Sequence, residues 1–363
     1  MIKLLVVDDS PLMRRLLTEI FSASGEFEVV VAKSGAEALE RLHEVAPDVV
    51  TLDIHMPGMD GLACLDRIMV ERPCPVVMVS SLTAEGADET LEAMALGAVD
   101  FIAKPKGAVS LEIDTVAPAL VEKVRAAAAA RISRTTRLRE RVRLRASRPA
   151  PPMHPKRRPA GRTVNDLRPL PAGSGLVLVG SSTGGPPALD ALLGELPGDF
   201  PWPIVIAQHM PASFTGPLAR RLDRLSALSV EEVERTTPLE PGCAYIARGD
   251  ADILISRRGE TLVAMAAPSS TAHFWHPSVE RLVESAMRVV EPDRLVGVLM
   301  TGMGTDGAAA MTALKHAGGS TIAESAETAV VWGMPGALAE MGGAGQVLPL
   351  DQIAPALMRL LAS

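Results

Sequence analysis

The chain has 363 residues, of which 47% are hydrophobic, 22% charged and 3% aromatic, with a net charge of −7. That length is two domains at the usual ~100–200 residues each, and the composition excludes wholesale disorder, while the shortage of aromatics argues against a stacking platform for single-stranded nucleic acid. Cys64, Cys74 and Cys243 show neither a disulfide framework nor metal-ligand spacing, no uncharged apolar run reaches the ~18 residues of a membrane span, and the early Asp8-Asp9 pair argues against a signal peptide, so a cytoplasmic location without membrane insertion is expected.

In chain order, LLVVD (4–8), EVVVA (28–32), VVTLD (49–53), VVMVS (76–80) and DFIAK (100–104) read as short buried strands, separated by amphipathic stretches such as PLMRRLLTEIFSAS and GAEALERLHEV. This alternation predicts an α/β domain with a doubly wound parallel sheet, whose ligands sit beyond the carboxyl ends of the strands. Those ends carry Asp8 and Asp9, Asp53, Ser80 with Ser81, and Lys104. Three neighbouring carboxylates repel one another unless a cation joins them, and a hard ion such as Mg2+ suits oxygen ligands. A carboxylate there can act as a nucleophile and form an acyl phosphate, with Lys104 pairing the new charge. A single strand-end aspartate is an ordinary turn former or helix N-cap; the combination is far more specific.

VEKVRAAAAARI (121–132) is strongly helical by propensity and leads into a proline- and arginine-rich segment. Between Arg131 and Ala172 there are thirteen basic and two acidic residues, a net of +11 that leaves −18 on the rest of the chain. Such a segment is either a patch for nucleic acid or anionic lipid or a solvated tether; without interleaved aromatics the tether is favoured, and no nucleic-acid partner is expected. The expected organisation is 1–125, a linker at 126–173, and a second domain at 174–363.

LVLVG (176–180) runs into SSTGGPPAL, and Gly180-Ser181-Ser182-Thr183-Gly184 fits the G-x-S-x-G turn that exposes a nucleophilic serine, although a bland Gly/Ser turn has the same letters. The absence of G-x-G-x-x-G and of Gly-Lys-Ser/Thr leaves the dinucleotide and P-loop readings weak. A serine needs a base. Of the seven histidines, His43, His55, His154 and His316 fall on a helix surface, the loop after VVTLD, the linker and a helix end. His209 directly follows the strand IVIAQ (204–208), while His273 and His276 flank Phe274-Trp275 in a loop. LVGVLM (295–300) runs into TGMGTDG and places Asp306 beyond a third strand, where it could also cap the helix GAAAMTALKHAG. Ser182, His209 and Asp306 thus read as a triad, in an order unlike that of the α/β-hydrolases.

VVDDSPLMRR, LDIHMPGMDGL, VVMVSSLT and GAVDFIAKP resemble the receiver domains of response regulators. GSSTGGPPAL, AQHMPASFTGPLARRLD, TGMGTDGAAAM, VVWGMPGAL and VLPLDQIAPAL resemble the catalytic domain of CheB-type chemotaxis methylesterases. The resemblance implies a flavodoxin-like receiver joined to a Rossmann-like serine esterase domain. It implies phosphorylation of Asp53 by a histidine kinase (CheA), with Mg2+ held by Asp8, Asp9, Asp53 and the His55 carbonyl. Ser80 would contact the phosphoryl group, Phe101 would be the aromatic switch, and a Lys104-Pro105 bond, usually cis, would follow. The esterase half implies hydrolysis of glutamyl methyl esters on the cytoplasmic helices of chemoreceptors (methyl-accepting chemotaxis proteins), without a cofactor, and deamidation of receptor glutamines as a second activity. Thr183 and Met303 match active-site positions, with a backbone N–H near Met303 as oxyanion donor. Departures fall on the substrate side: IARGDADIL has Arg248 where the family has proline, Trp275-His276-Pro277-Ser278-Val279 replaces His-Arg-Pro-Ser-Val, and Glu324-Ser325-Ala326 replaces Gln-Asp-Glu. These departures keep open an adaptor with weakened hydrolase activity; a DNA-binding regulator would need a helix-turn-helix after the receiver.

Overall fold

A computed structural model describes residues 1–81, 83–104, 113–130 and 174–361, in two compact units that divide between Pro149 and Ala150. The first runs β1 (Ile2–Val7), α1 (Pro11–Ala23), β2 (Phe27–Ala32), α2 (Gly35–Val45), β3 (Val49–Asp53), α3 (Gly61–Glu71), β4 (Val76–Ser80), α4 (Ala84–Leu96), β5 (Asp100–Ala103) and α5 (Ile113–Ala128). Its sheet has the order β2-β1-β3-β4-β5 with every pair parallel, the flavodoxin-like winding. Strands β3 and β4 are buried along their whole length, which is why they read as unbroken apolar runs: helices cover both faces. Helix starts are set by side-chain caps, Ser10 accepting from the Met13 N–H, Ser34 from Glu37 and Asp60 from Ala63, each worth about 1 kcal/mol.

The element positions agree closely with the sequence reading. Strand β1 stops at Val7, so Asp8 lies just past its end, and β5 stops at Ala103, one residue before Lys104. Helix α5 runs to Ala128, past the expected boundary at 125. Pro105 and residues 131–173, which include the whole basic segment, lie outside the described residues. All three cysteines are buried and free, and burial pushes the thiols of Cys64 and Cys74 up to about 12 and that of Cys243 to about 11, so they are poor nucleophiles.

The second unit contains β6 (Leu176–Ser181), α6 (Gly185–Glu195), β7 (Ile204–Gln208), α7 (Ala212–Leu225), β8 (Ser229–Val233), β9 (Thr237–Pro238), β10 (Cys243–Ala247), β11 (Ala251–Arg258), β12 (Thr261–Pro268), α8 (Val279–Met287), β13 (Leu295–Leu299), α9 (Ala308–His316), β14 (Ser320–Glu324), α10 (Met334–Glu340), β15 (Gln346–Leu348) and α11 (Leu350–Leu361). Seven parallel strands form a sheet in the order β15-β14-β13-β6-β7-β10-β8. The order reverses at β6: the chain first builds outward through β7 and later returns to add β13 on the other side, and such a reversal is where a doubly wound sheet opens a crevice. A small antiparallel sheet, β11-β12-β9, was not foreseen. ADILISRR and TLVAMAAP pair as an antiparallel hairpin across Gly259 and Glu260.

Candidate active site

The crevice beyond β13, β6 and β7 collects the three residues of the expected triad. Gly180 pairs with Leu299 and Ala207, and Ser181 pairs with Gln208. Ser182 and His209 are therefore the next residues of two registered neighbours, tied by the His209 N–H donating to the Ser181 carbonyl at 3.0 Å. Ser182 in turn donates its N–H to the Thr301 carbonyl at 3.0 Å, which brings in the loop after β13. Gly184 makes the turn possible: its φ is +77°, and a Cβ there would lie 2.7 Å from Val330. Gly302 is needed for close approach, since a Cβ at that position would sit 2.8 Å from the Ser182 Cβ.

His209 is buried, and its Nε2 lies 2.8 Å from Asp306 Oδ2. An ionised carboxylate only accepts, so Nε2 carries the proton and Nδ1 holds the lone pair. Nδ1 is buried and has no hydrogen-bond partner. Asp306 also accepts from the Ser278 hydroxyl at 3.1 Å and from the N–H groups of Val279 (2.7 Å) and Glu280 (3.2 Å), the start of α8. Burial by itself would raise the Asp306 carboxyl; the His209 hydrogen bond and the α8 N–H groups outweigh it and hold the pKa below the ordinary value. Glu280 returns the favour from α8, accepting from Gly307, Ala309 and Ala310 at the start of α9 at 2.7–3.1 Å. The two helices cap each other through Asp306 and Glu280.

Gln208 and Thr301 carried no role in the sequence reading, and Glu324, expected on the substrate side, is instead fully buried; the three tie the loops together. The Gln208 amide donates to the carbonyls of Ser182 (2.9 Å) and His209 (3.1 Å), while its oxygen accepts from the Ser181 hydroxyl (2.7 Å). The Thr301 hydroxyl donates to the Thr183 carbonyl at 2.8 Å, and the Thr301 N–H donates to the Glu324 carboxylate at 2.8 Å. A polar residue closing an otherwise apolar strand, as in IVIAQ and STIAE, is the signal that could have found Gln208 and Glu324. Thr183 and Met303 are both buried beside these contacts, and the Met303 N–H makes no hydrogen bond among the described residues.

Burial raises the Glu324 carboxyl above its ordinary value despite hydrogen bonds from Thr301 and Thr328. Above the ordinary glutamate range the folded state must therefore bear a desolvated charge, a cost that disappears on acidification. Glu324→Gln keeps an acceptor for the Thr301 N–H without that charge. Its Tm is expected to rise by roughly 2–4 °C at pH 8, with the gain shrinking toward pH 4, as calorimetry at several pH values would read.

Of the other histidines, His276 donates from Nδ1 to Asp252 at 2.8 Å, and His43 pairs with Glu71 at 3.3 Å on an exposed face. His316 ends α9, and His154 is outside the described residues. Trp275 stacks on His209, with ring centroids 5.8 Å apart and planes 14° from parallel.

In the first unit, Asp8, Asp9 and Asp53 bring one carboxylate oxygen each within 4.8 Å of the others. Lys104 Nζ lies 3.3 Å from Asp8 Oδ2 and 2.7 Å from Asp53 Oδ2, and neither oxygen, though buried, is in hydrogen-bond geometry with any group. Burial and then the Asp53 charge push the Asp8 carboxyl up. Burial works against the Lys104 ammonium, but its ion pairs with Asp53 and Asp8 outweigh it and hold its pKa above the ordinary value. Three carboxylates converge there, two of their oxygens held by the Lys104 charge without a hydrogen bond, and such hard oxygen donors fit a divalent cation. Ser80 turns its hydroxyl to the carbonyls of Gly86 (3.1 Å) and Ser81 (3.2 Å). Phe101 is buried, with Lys123 Nζ 5.0 Å from its ring centroid. His55 places Nε2 3.1 Å from Glu89 and donates its N–H to Asp53 Oδ1 at 3.3 Å.

Comparison with known proteins matches residues 177–357 to the family described as CheB methylesterase and residues 4–113 to the response regulator receiver domain. A relative from Rhodopseudomonas palustris (strain BisB18), named protein-glutamate methylesterase/protein-glutamine glutaminase 2, is 55% identical over 99% of this chain and 98% of its own. One from Rhodospirillum rubrum, whose name differs only in the number 3, is 53% identical over 98% of this chain and 95% of its own. The solved methylesterase catalytic domain of Thermotoga maritima CheB is 39% identical, with a TM-score of 0.50, and matches 52% of this chain and 98% of that domain.

Proposed function

The chain belongs to the CheB methylesterase family, and from that premise we propose that Ser182, His209 and Asp306 hydrolyse the glutamyl methyl ester and that Asp53 receives the phosphoryl group that regulates them. The protein is a phosphorylation-regulated protein-glutamate methylesterase of chemotaxis. The full-length relatives carry the enzyme's name, which disfavours the adaptor reading.

The observation that carries the site assignment is the buried His209 Nδ1, left without a partner while Asp306 takes Nε2. In the proposed reaction Ser182 Oγ attacks the ester carbonyl and Nδ1 takes the hydroxyl proton. Asp306 holds the imidazole in that tautomer and stabilises the imidazolium. The tetrahedral oxyanion is met by the Met303 N–H, with Thr183 lining the pocket. Collapse breaks the C–O bond, and Nδ1 returns the proton to methanol. Water then attacks the acyl-serine by the same route and releases glutamate. The glutaminase activity in the relatives' names would follow the same acyl-enzyme with ammonia leaving.

In the receiver, Asp8, Asp9 and Asp53, with the His55 carbonyl, would hold Mg2+, which neutralises phosphoryl oxygens when bound. Ser80, Phe101 and Lys104 make up the switch that reads phospho-Asp53. The phosphodonor is a histidine kinase (CheA), and the substrates are chemoreceptor cytoplasmic helices, met in the cytoplasm. Among the described residues no helix is long and apolar enough to cross a membrane. Acetyl phosphate with Mg2+ is expected to raise methanol release from a methylated receptor fragment, and Asp53→Asn to remain at the basal rate. Equal rates in all four assays would overturn the gating.

A further inference from the structure

The chain has ten aromatic residues, three Trp, one Tyr and six Phe. Phe21, Phe27, Phe101, Phe200, Phe214 and Tyr245 are buried in the two cores. Of the remaining four, three surround the esterase crevice: Phe274 at 67% exposure, Trp332 at 38%, and Trp275 stacked on His209. Phe274 sets its ring edge-on to Trp275, with centroids 4.8 Å apart. Trp332 pairs with Gly302 in a β-bridge and donates its indole N–H to the Glu324 carbonyl at 2.9 Å. The loop at Gly304 joins the two sides: a Cβ on Gly304 would be 3.7 Å from Trp275 Nε1, and one on Gly333, next to Trp332, would be 3.1 Å from the Gly304 nitrogen.

Phe274 and Trp275 are held in place by the fixed ends of their loop. Asp252, almost wholly buried, accepts from the Ser270 N–H (3.2 Å), His276 Nδ1 (2.8 Å), the Ser278 N–H (2.7 Å) and the Arg281 guanidinium, which pins both ends of the 270–278 segment. The strips that bear the rings, 266–275 and 328–339, contain no Asp, Glu, Lys or Arg in a chain that is 22% charged. An exposed apolar rim continuous with a catalytic crevice marks a recognition surface, and aromatic residues are the usual anchors of one.

We propose that Phe274, Trp275 and Trp332 form a neutral aromatic collar that docks the receptor helix by the apolar face around a methyl-esterified glutamate and disfavours the same helix once that glutamate carries its charge. This rests on the reading of Ser182 as the nucleophile. Its physical basis is desolvation: an ester moves against indole and phenyl faces at little cost, whereas a carboxylate without a partner does not. Hydrolysis itself then weakens the hold on the product and frees the crevice for the next ester.

The test uses the full chain as Ser182→Ala, so that bound ester is not consumed, and a receptor cytoplasmic fragment prepared fully methylated or fully demethylated. The collar predicts at least about tenfold tighter binding of the methylated form, and loss of most of that preference in Ser182→Ala with Phe274→Ser; Phe274→Tyr should retain it. Phe274 is so exposed that the serine substitution leaves the core untouched. A preference that survives Phe274→Ser, or equal affinity for the two forms in Ser182→Ala, overturns the proposal while leaving the esterase reading intact. Absence of methanol release by the wild-type chain from the same methylated fragment would overturn both.

Discussion

Alanine at position 182 is expected to lower methanol release by at least about 10⁴-fold while leaving Tm unchanged. The substitution removes one oxygen that makes no hydrogen bond among the described residues, so the fold loses nothing it was using. His209→Ala should give a loss of the same order, and combining the two should add little, since a nucleophile and its base act as a unit. Single-turnover methanol release beside a thermal melt reads both quantities. Activity within tenfold of wild type for Ser182→Ala would remove the serine mechanism.

Asp306→Asn should behave differently, losing activity and stability together. The carboxylate accepts from four donors, His209 Nε2, the Ser278 hydroxyl and two α8 N–H groups. An asparagine amide offers one accepting oxygen and sets its NH2 against donors on the other side. If the oxygen faces α8, the imidazole loses the acceptor that fixed its tautomer, and kcat falls by about 10⁴. If it faces His209, the cap on α8 is lost at roughly 1–2 kcal/mol. The pH dependence separates this from a plain packing defect. The folded Asp306 pKa lies below its ordinary value of 3.8, so its contribution to stability is present above that value and lost as pH falls through the folded pKa. The Tm gap between wild type and Asp306→Asn is therefore expected at pH 7 and should close below about pH 4. A gap independent of pH would contradict the charge-based account.

Much of this was legible in the letters. Buried parallel strands are short, β-branched and bounded, so VVTLD, VVMVS and IVIAQ mark their own limits and place Asp53, Ser80 and His209 at strand ends. Strand ends in a doubly wound sheet face one crevice, which is why three distant residues could be grouped without coordinates. Which imidazole nitrogen faces the acid was not legible, because it depends on ring orientation set by α8 rather than on any spacing. Glu280 and Thr301 were equally silent: each works through groups of another segment, and nothing local distinguishes them from ordinary polar residues. The stack of Trp275 on His209 was hidden for a related reason. His209 follows β7, Trp275 sits in a loop between β12 and α8, and only the folded sheet brings them together.

The mutual capping of α8 and α9 has a consequence for how such chains decay. A lineage released from the need to cleave esters can lose the Ser182 hydroxyl freely, since nothing structural depends on it. It cannot shed Asp306 as freely, because the start of α8 would be left open. In descendants that have become pure scaffolds, the acid should therefore outlast the nucleophile. A preserved aspartate at this position is a record of architecture, and only the serine and its histidine testify to living chemistry.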